Sequence, residues 1–190
     1  MIKIIDDIIS LNEQEKIKQT LFENTSFPWY YRKDVSYTES PHTQSRPGFS
    51  HQLVFNGKPS AFHTLTHNII ENAALEINLK EVTVIQARSF LQLPLDENFT
   101  GRDIDTPHID LREPHWVFLY YVTDSDGDTI IFENEFKENE EPPFFEQLRG
   151  YATITPKQGR LVIFDGKQWH TAVQPRKNVR CIINIDIKKG

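Results

Sequence analysis

After Glu81 the chain consists of short apolar segments that follow one another at close spacing and are separated by turn residues. Runs rich in Val, Ile, Phe, Tyr and Trp predict strands, and their spacing indicates a sandwich or barrel rather than a parallel βαβ sheet. The pattern therefore predicts an all-β core with some helix. The predicted strands are residues 82–93, 108–111, 116–123, 129–133, 152–155, 160–164, 171–174 and 179–187, with one more at residues 2–5.

The first 80 residues predict two helices that cover a sheet. Ser10 followed by Glu13 is the sequence of a capping box, which starts a helix that ends near Glu23. Apolar residues at helical spacing predict a second helix from about Phe62 to Ile77. The predicted apolar faces consist of Leu11, Ile17 and Leu21 in the first helix and of Leu65, Ile69, Ala73 and Ile77 in the second.

Between these helices, residues 27–52 mix aromatic, proline and charged residues with little periodicity. A long irregular segment in a compact domain is either packed on the surface or functional, for example as a lid over a site. We expect a loop that contacts a substrate, with surface packing as the alternative. The aromatic and basic residues available for an extended ligand are Trp29, Tyr30, Tyr31 and Arg32.

Composition limits the classes of protein to which the chain can belong. Its 190 residues are most simply one domain, with residues 1–80 as helical support and substrate loop and residues 81–188 as the β core. The formal net charge of −6 argues against a general nucleic-acid binder, which needs a basic surface.

Cysteine usage and the N-terminus bear on the compartment. Cys181 is the only cysteine, so no intrachain disulfide can form, which fits a reducing cytosol. No basic segment followed by a long apolar one begins the chain, and no apolar run approaches membrane-spanning length. We therefore expect a soluble cytoplasmic protein with no membrane partner.

A candidate metal site comes from His108 and Asp110 together with the distant His170. Successive side chains of an extended strand alternate, so His108 and Asp110 project to the same side. An imidazole from His170, expected just beyond the end of the strand at residues 160–164, completes two nitrogens and one carboxylate oxygen. Non-haem Fe(II) oxygenases hold iron in this way, with the opposite positions open. Because a lone H-x-D triplet also occurs by chance, the surrounding residues have to carry the assignment.

Arg180 opens the alternating run at residues 179–186 and adds a planar fork of donors suited to a carboxylate. With this residue the chain resembles the Fe(II)- and 2-oxoglutarate-dependent dioxygenases, and within them the prolyl-4-hydroxylase-like branch with its phage-encoded members. The resemblance covers about the C-terminal half, from near Val82 to Ile187. It rests on His108-x-Asp110, His170 and Arg180 in this order, on the segment Phe118-Leu119-Tyr120-Tyr121-Val122, and on the segment Gly159-Arg160-Leu161-Val162-Ile163-Phe164.

The resemblance implies a fold, cofactors and residue roles. The fold is a double-stranded β-helix, a jelly-roll or cupin-like barrel supported by N-terminal helices. Fe(II) is held by His108, Asp110 and His170, and 2-oxoglutarate and O2 are the co-substrates, with ascorbate as a reductant. Arg180 binds the far carboxylate of 2-oxoglutarate, assisted by the hydroxyl of Tyr121. Arg176 is the alternative to Arg180, because a sister branch uses an arginine nearer the distal histidine.

The implied reaction hydroxylates a C–H bond while 2-oxoglutarate is converted to succinate and CO2. A prolyl residue in a peptide or protein is the expected substrate, and a free amino acid or small metabolite is the alternative. Nucleic-acid demethylation is disfavoured by charge, and a non-catalytic metal-binding barrel has no need of Arg180. For a phage-encoded protein the location is the host cytoplasm. The predicted substrate contacts are Trp29, Tyr30, Tyr31, Arg32, Arg88 and Trp169, where Arg88 departs from the tyrosine of many prolyl hydroxylases.

Other patterns are open to competing interpretations. Residues 124–128 resemble a calcium loop, but its required glycine is replaced by Thr129, so a polar hairpin turn is favoured. His63 and His67 lie one helical turn apart without the H-E-x-x-H pattern of zinc proteases, which indicates partly exposed histidines. His115 is expected in a loop or beside the metal ligands.

Overall fold

The computed structural model describes residues 1–35, 46–138 and 143–189. Within these ranges, two short helices, α1 (Leu11–Lys18) and α2 (His67–Glu76), accompany eleven strands. A π-helical turn at Gln19–Glu23 continues α1, and a 3₁₀ turn at His63–Thr66 precedes α2. The strands are β1 (Ile2–Ile5), β2 (Tyr30–Arg32), β3 (Gly48–Phe55), β4 (Lys58–Pro59), β5 (Val84–Gln92), β6 (His115–Tyr121), β7 (Thr129–Glu135), β8 (Tyr151–Ile154), β9 (Leu161–Asp165), β10 (Gln168–Ala172) and β11 (Arg180–Lys188).

The strands form two antiparallel sheets. The larger has the order β1-β9-β6-β11-β5-β3-β2, with β4 paired to β3, and the smaller has the order β10-β7-β8. Isolated bridges join Ile104 to Val173 and His108 to His170, so residues 104–108 lie along the free side of β10. The predicted mainly-β architecture with N-terminal helices is confirmed.

One face of the large sheet packs under the helices. The outward residues of β11 and β6 pack against Ile17, Leu21, Ile69 and Ala73 in one buried apolar cluster, the outer apolar cluster. The capping box of α1 is confirmed, since Ser10 Oγ accepts from the Glu13 backbone N–H at 3.4 Å and Glu13 Oε2 accepts from the Ser10 N–H at 3.0 Å. Leu11 is 73% exposed, so its expected place on the apolar face is wrong.

Two predicted strand boundaries differ from the structure. Residues 108–111 form only the single bridge at His108, so the predicted strand does not continue beyond that residue. His170 follows the end of β9, as predicted, but it lies inside β10, because the chain turns at Gly166 and Lys167 and starts a new strand at Gln168. A Cβ at Gly166 would collide with the His115 ring, so the close corner needs glycine.

None of the described helices is long and apolar enough to cross a membrane. The predicted cytoplasmic location stays a prediction. Cys181 is buried in the outer apolar cluster, and burial raises the pKa of its thiol to about 12, as expected for an inert core residue. Residues 36–45 of the expected substrate loop, and residues 139–142 between β7 and β8, lie outside the described residues.

Candidate metal centre and adjoining cavity

His108, Asp110 and His170 come together where residues 104–108 run along β10. The His108 and His170 backbones exchange two hydrogen bonds, at 2.9 and 3.0 Å, which places the two imidazole rings 4.5 Å apart between centroids. Asp110 follows two residues later, and its Oδ2 lies 3.3 Å from His170 Nε2. One ligand atom from each of the three side chains lies within 4.8 Å of the others. The three residues singled out from the sequence are therefore neighbours in space.

Hydrogen bonds to backbone carbonyls set the tautomer of both imidazoles. His108 Nδ1 lies 3.1 Å from the Thr106 carbonyl oxygen, and His170 Nδ1 lies 3.1 Å from the Gln168 carbonyl oxygen. A carbonyl can only accept, so each Nδ1 donates a hydrogen, and each Nε2 is the ring nitrogen available to a metal. Burial, together with His170, lowers the pKa of His108 to about 4, so this imidazole is neutral at pH 7.

Asp110 supplies the anionic ligand. Burial alone would raise its pKa, but Arg88 Nη2 donates to Asp110 Oδ1 at 2.6 Å and holds the pKa of this carboxyl well below its usual range. Asn184 Nδ2 donates to the other oxygen at 3.1 Å. Two imidazole Nε2 atoms and one carboxylate oxygen form a donor set that fits a divalent transition metal, with open positions on one side.

A cavity of about 460 Å³ adjoins the three side chains. Its wall is apolar toward β6 and β9 and polar toward β3 and β5. The apolar lining includes Val117, Leu119, Phe164 and Ile182. The polar lining includes Ser50, Gln52, Gln86, Arg88, Gln92, Arg180 and Asn184. The three candidate metal ligands and several polar side chains thus line one space of the size of a small-molecule site.

Arg180 is the buried cation of this cavity, with 3% of its surface exposed. Its guanidinium donates to the Gly127 carbonyl at 3.0 Å, to Gln92 Oε1 at 2.7 Å and to Thr129 Oγ1 at 2.8 Å. All three acceptors are uncharged. Within the described ranges, no carboxylate lies within ion-pair distance of Arg180. A buried cation without a counter-ion favours an anionic ligand.

Asp105 also lines the cavity, but it is occupied by other partners. Its Oδ1 accepts from Arg46 Nε at 2.9 Å, and its Oδ2 accepts from Gln174 Nε2 at 2.6 Å. Burial raises the pKa of Asp105 to about 6, although both hydrogen bonds oppose this. The direct ion-pair partner of Asp105 is therefore Arg46, and Asp105 acts on Arg180 only as a more distant charge.

Tyr121 lies behind Thr129 rather than on the cavity wall. Its hydroxyl donates to Thr129 Oγ1 at 2.7 Å, and Thr129 lines the cavity. Because Thr129 Oγ1 accepts from both Tyr121 and Arg180, its own O–H remains as a donor. Sequence analysis missed Thr129, whose only signal is its place at the start of a predicted strand.

The residues predicted to contact a substrate lie in three different places. Arg32 and Arg88 line the cavity, and Tyr30 and Tyr31 are exposed on β2, at 60% and 64%. The two tryptophans do not line the cavity, and their contact with a substrate stays a prediction. Trp29 packs on the outer apolar cluster and donates its Nε1–H to the Leu21 carbonyl at 3.0 Å. Trp169 lies in a separate apolar cluster with Ile130, Phe132 and Leu148, because alternation along β10 turns it away from the side of His170.

The remaining candidate residues from the sequence make structural contacts. Asp126 accepts backbone N–H groups of residues 176–178, which ties the 124–128 turn to the segment before β11. Arg176 is exposed and lies 3.6 Å from Asp103 in an ion pair, away from the cavity lining. The His63 and His67 rings lie 5.1 Å apart on the helix surface. His115 is fully buried beside Asp110 and Asp186.

No protein-family model and no curated protein matches the chain. Solved structures do match it along nearly its whole length. A 2OG-Fe(II) oxygenase family oxidoreductase from Burkholderia pseudomallei has a TM-score of 0.68 at 10% identity, covering 98% of this chain and 84% of that protein.

Two further structural neighbours have different activities. A prolyl hydroxylase from Trichoplax adhaerens, in complex with a hypoxia inducible factor peptide, has a TM-score of 0.63 at 15% identity and covers 98% of this chain and 83% of its own. An epimerase from nogalamycin biosynthesis, in complex with Fe3+, alpha ketoglutarate and nogalamycin RO, has a TM-score of 0.68 at 10% identity and covers 99% and 78%. The predicted double-stranded β-helix fold of 2-oxoglutarate-dependent oxygenases is therefore confirmed.

Proposed function

We propose that this chain is an Fe(II)- and 2-oxoglutarate-dependent oxygenase that hydroxylates a C–H bond and releases succinate and CO2. The observation that carries the proposal is one cavity with a two-histidine, one-carboxylate cluster on its wall and a buried arginine without a counter-ion. The fold shared with 2-oxoglutarate oxygenases supports it. A barrel that only binds a metal would not need Arg180 in this cavity.

Each residue has a defined task in the proposed reaction. His108, Asp110 and His170 hold Fe(II), which when bound supplies the activation of O2 that is coupled to decarboxylation of 2-oxoglutarate. Arg180 and the free O–H of Thr129 bind the far carboxylate of 2-oxoglutarate. The apolar wall formed by Val117, Leu119, Phe164 and Ile182 excludes water from the reacting groups.

A prolyl residue in a peptide or protein is the first candidate substrate. Tyr30 and Tyr31 are exposed on β2, the outermost strand of the large sheet, and Arg32 on the same strand lines the cavity. Aromatic side chains beside a groove suit an extended proline-containing peptide. The Trichoplax neighbour was solved with a peptide bound.

A small acidic metabolite or free amino acid is the second candidate, and the polar cavity wall favours it. Arg32, Gln52 and Arg88 lie on three adjacent strands and all line the cavity. Arg32 donates its Nε–H to Ser50 Oγ at 2.9 Å. Arg32 pairs with Gly48 and Arg88 lies opposite Gln52, four residues farther along β3, so the two arginines offer separate cationic contacts for the carboxylate of a small molecule.

The first test is succinate formation by purified protein with Fe(II), 2-oxoglutarate and O2. We expect turnover, and we expect His108→Ala to abolish it because the remaining two ligands cannot retain the metal. Absence of both iron and 2-oxoglutarate binding in calorimetry would reject the proposal.

The second test separates the two substrates. Proline-rich peptides and free amino acids are incubated with the enzyme, and mass spectrometry detects addition of one oxygen. Oxidised peptide supports the first candidate and oxidised free amino acid the second. Arg32→Ala is expected to weaken only oxidation of the free acid, since a peptide also contacts the exposed tyrosines of β2.

A further inference from the structure

Unsatisfied polar atoms concentrate behind the candidate metal ligand Asp110. Among the described residues, six buried side-chain atoms lack a hydrogen-bond partner, and four of them belong to residues around Asp110. Buried polar atoms without partners are uncommon and need a specific reason. The four atoms are Arg88 Nε, His115 Nε2, Asn184 Oδ1 and Asp186 Oδ1.

A chain of contacts runs from β5 and β11 to Asp110. Asp186 is fully buried, and its Oδ2 accepts from Gln86 Nε2 at 2.7 Å and lies 3.4 Å from Arg88 Nη2. The same Nη2 donates to Asp110 Oδ1 at 2.6 Å. Arg88 therefore contacts the carboxyl groups of both Asp110 and Asp186.

The other oxygen of Asp186 faces His115. His115 Nδ1 lies 2.7 Å from the Glu113 carbonyl, so its Nε2 is an acceptor, and it lies 3.9 Å from Asp186 Oδ1. This separation is longer than a direct hydrogen bond, so both atoms lack a partner among the described residues.

A contribution to the stability of the fold does not explain why Asp186 occupies this position. Its neighbours along β11, Ile185 and Ile187, are fully buried and apolar. A buried carboxyl destabilises the folded chain unless its partners offset the lost hydration, and replacement of buried ion pairs by apolar residues is often stabilising. The presence of a carboxyl group at this position is instead explained by its contact with Arg88.

We propose that Asp186 is a positioning residue, which holds Arg88 so that Arg88 occupies Asp110 Oδ1 and leaves Asp110 Oδ2, beside His170, as the single oxygen offered to the metal. This inference rests on the metal site of the proposed function. It extends that site to a residue 76 positions away from Asp110 in the sequence.

A double-mutant cycle on Mn2+ binding tests this role. Calorimetry with Mn2+ alone compares the wild type with Asp186→Leu, Arg88→Met and the double variant. We expect each single variant to bind Mn2+ about tenfold more weakly, as found for residues that orient metal ligands. Because Asp186 acts through Arg88, the double variant is expected to bind no more weakly than Arg88→Met alone.

Co2+ absorption gives a readout that a merely structural role would not change. With Arg88 released, both Asp110 oxygens become available, so the visible spectrum of the Co2+-loaded protein is expected to change alike in Asp186→Leu and Arg88→Met. Tyr120→Phe is the matched control, because it removes another buried hydrogen-bonding atom without a partner, in the outer cluster. Its Mn2+ affinity and Co2+ spectrum should equal those of the wild type.

The outcomes separate this inference from the proposed function. Lack of Mn2+ binding by the wild type rejects the metal site itself. Wild-type affinity in Asp186→Leu, or effects that multiply in the double variant, reject the positioning role alone. Should Asp186→Leu not fold, Gln86→Leu replaces it in the same cycle, since it removes the donor that holds Asp186. Effects of Gln86→Leu and Arg88→Met that multiply would then overturn the inference.

Discussion

The two faces of β11 differ in character. One face is apolar and packs in the core, and the other carries polar and charged residues of the candidate site. Cys181, Ile183, Ile185 and Ile187 face outward and are fully buried against the core under the helices. On the alternate face, Arg180, Asn184 and Asp186 point to the interior of the barrel. Arg180 contacts Thr129, Asn184 contacts Asp110, and Asp186 contacts Arg88. One strand thus carries both stability and the site, separated only by alternation of its side chains.

The energetics of the two faces have opposite signs. Burial of each isoleucine contributes about 1.5 to 3 kcal/mol to folding. Burial of Arg180 and Asp186 opposes folding, because each loses hydration and gains mainly neutral partners or a shared arginine. Substitutions on the outer face should therefore change stability, and substitutions on the inner face should change ligand binding.

The largest effect is expected inside the barrel, for His170→Ala. Loss of one of three ligands should weaken Mn2+ binding by more than about 100-fold, since even residues behind the ligands contribute about 10- to 100-fold. Calorimetry measures the affinity, and thermal unfolding of the metal-free protein checks the fold. Retained affinity would remove His170 from the ligand set.

On the outer face, Ile185→Ala should destabilise the fold by about 3 kcal/mol, because it leaves a cavity in a fully buried cluster. Urea unfolding measures this change. Mn2+ and 2-oxoglutarate affinities of the folded variant should equal those of the wild type. Weaker Mn2+ binding by the folded variant would show that the two faces are not independent.

Arg180→Met, on the inner face of β11, should change ligand binding. It removes the cationic fork but keeps an unbranched side chain, so 2-oxoglutarate affinity should fall about 100-fold, as for loss of one partner of a buried charge pair. Mn2+ affinity should be unchanged. Arg176→Met is the matched control, because Arg176 is exposed and outside the cavity lining.

The result for this pair also assigns the anchor. Unchanged 2-oxoglutarate affinity in Arg180→Met, with a loss in Arg176→Met, would transfer the carboxylate to Arg176. This outcome would contradict the role given to the buried guanidinium.

Alternation made both faces of β11 readable from the sequence. Ile183, Ile185 and Ile187 at period two predicted a half-buried strand, and Arg180 at its start predicted an anion site. His108, Asp110 and His170 were found because metal chemistry restricts the residue types and their order. The helix start at Ser10 was readable because its cap is a local hydrogen-bond pattern.

Contacts between distant strands could not be predicted in this way. Thr129 and Asp186 gain their roles from Tyr121, Arg180 and Arg88, which reach them only after the sheets have formed. The strand that carries His170 was predicted to start too late, because the two-residue turn at Gly166 and Lys167 leaves almost no loop between β9 and β10 for the sequence to reveal.

The smallest effects should distinguish Thr129 from Tyr121. Thr129→Val removes the hydroxyl that links Arg180 to the cavity and is expected to weaken 2-oxoglutarate binding about tenfold, the usual loss for a hydrogen bond to a charged group. Tyr121→Phe removes only the donor behind Thr129 and should weaken binding by about threefold or less. Calorimetry with 2-oxoglutarate and Mn2+ present measures both. A larger loss in Tyr121→Phe than in Thr129→Val would mean that Tyr121 reaches the co-substrate directly, as the family resemblance implies, and that Thr129 moves aside when the ligand binds.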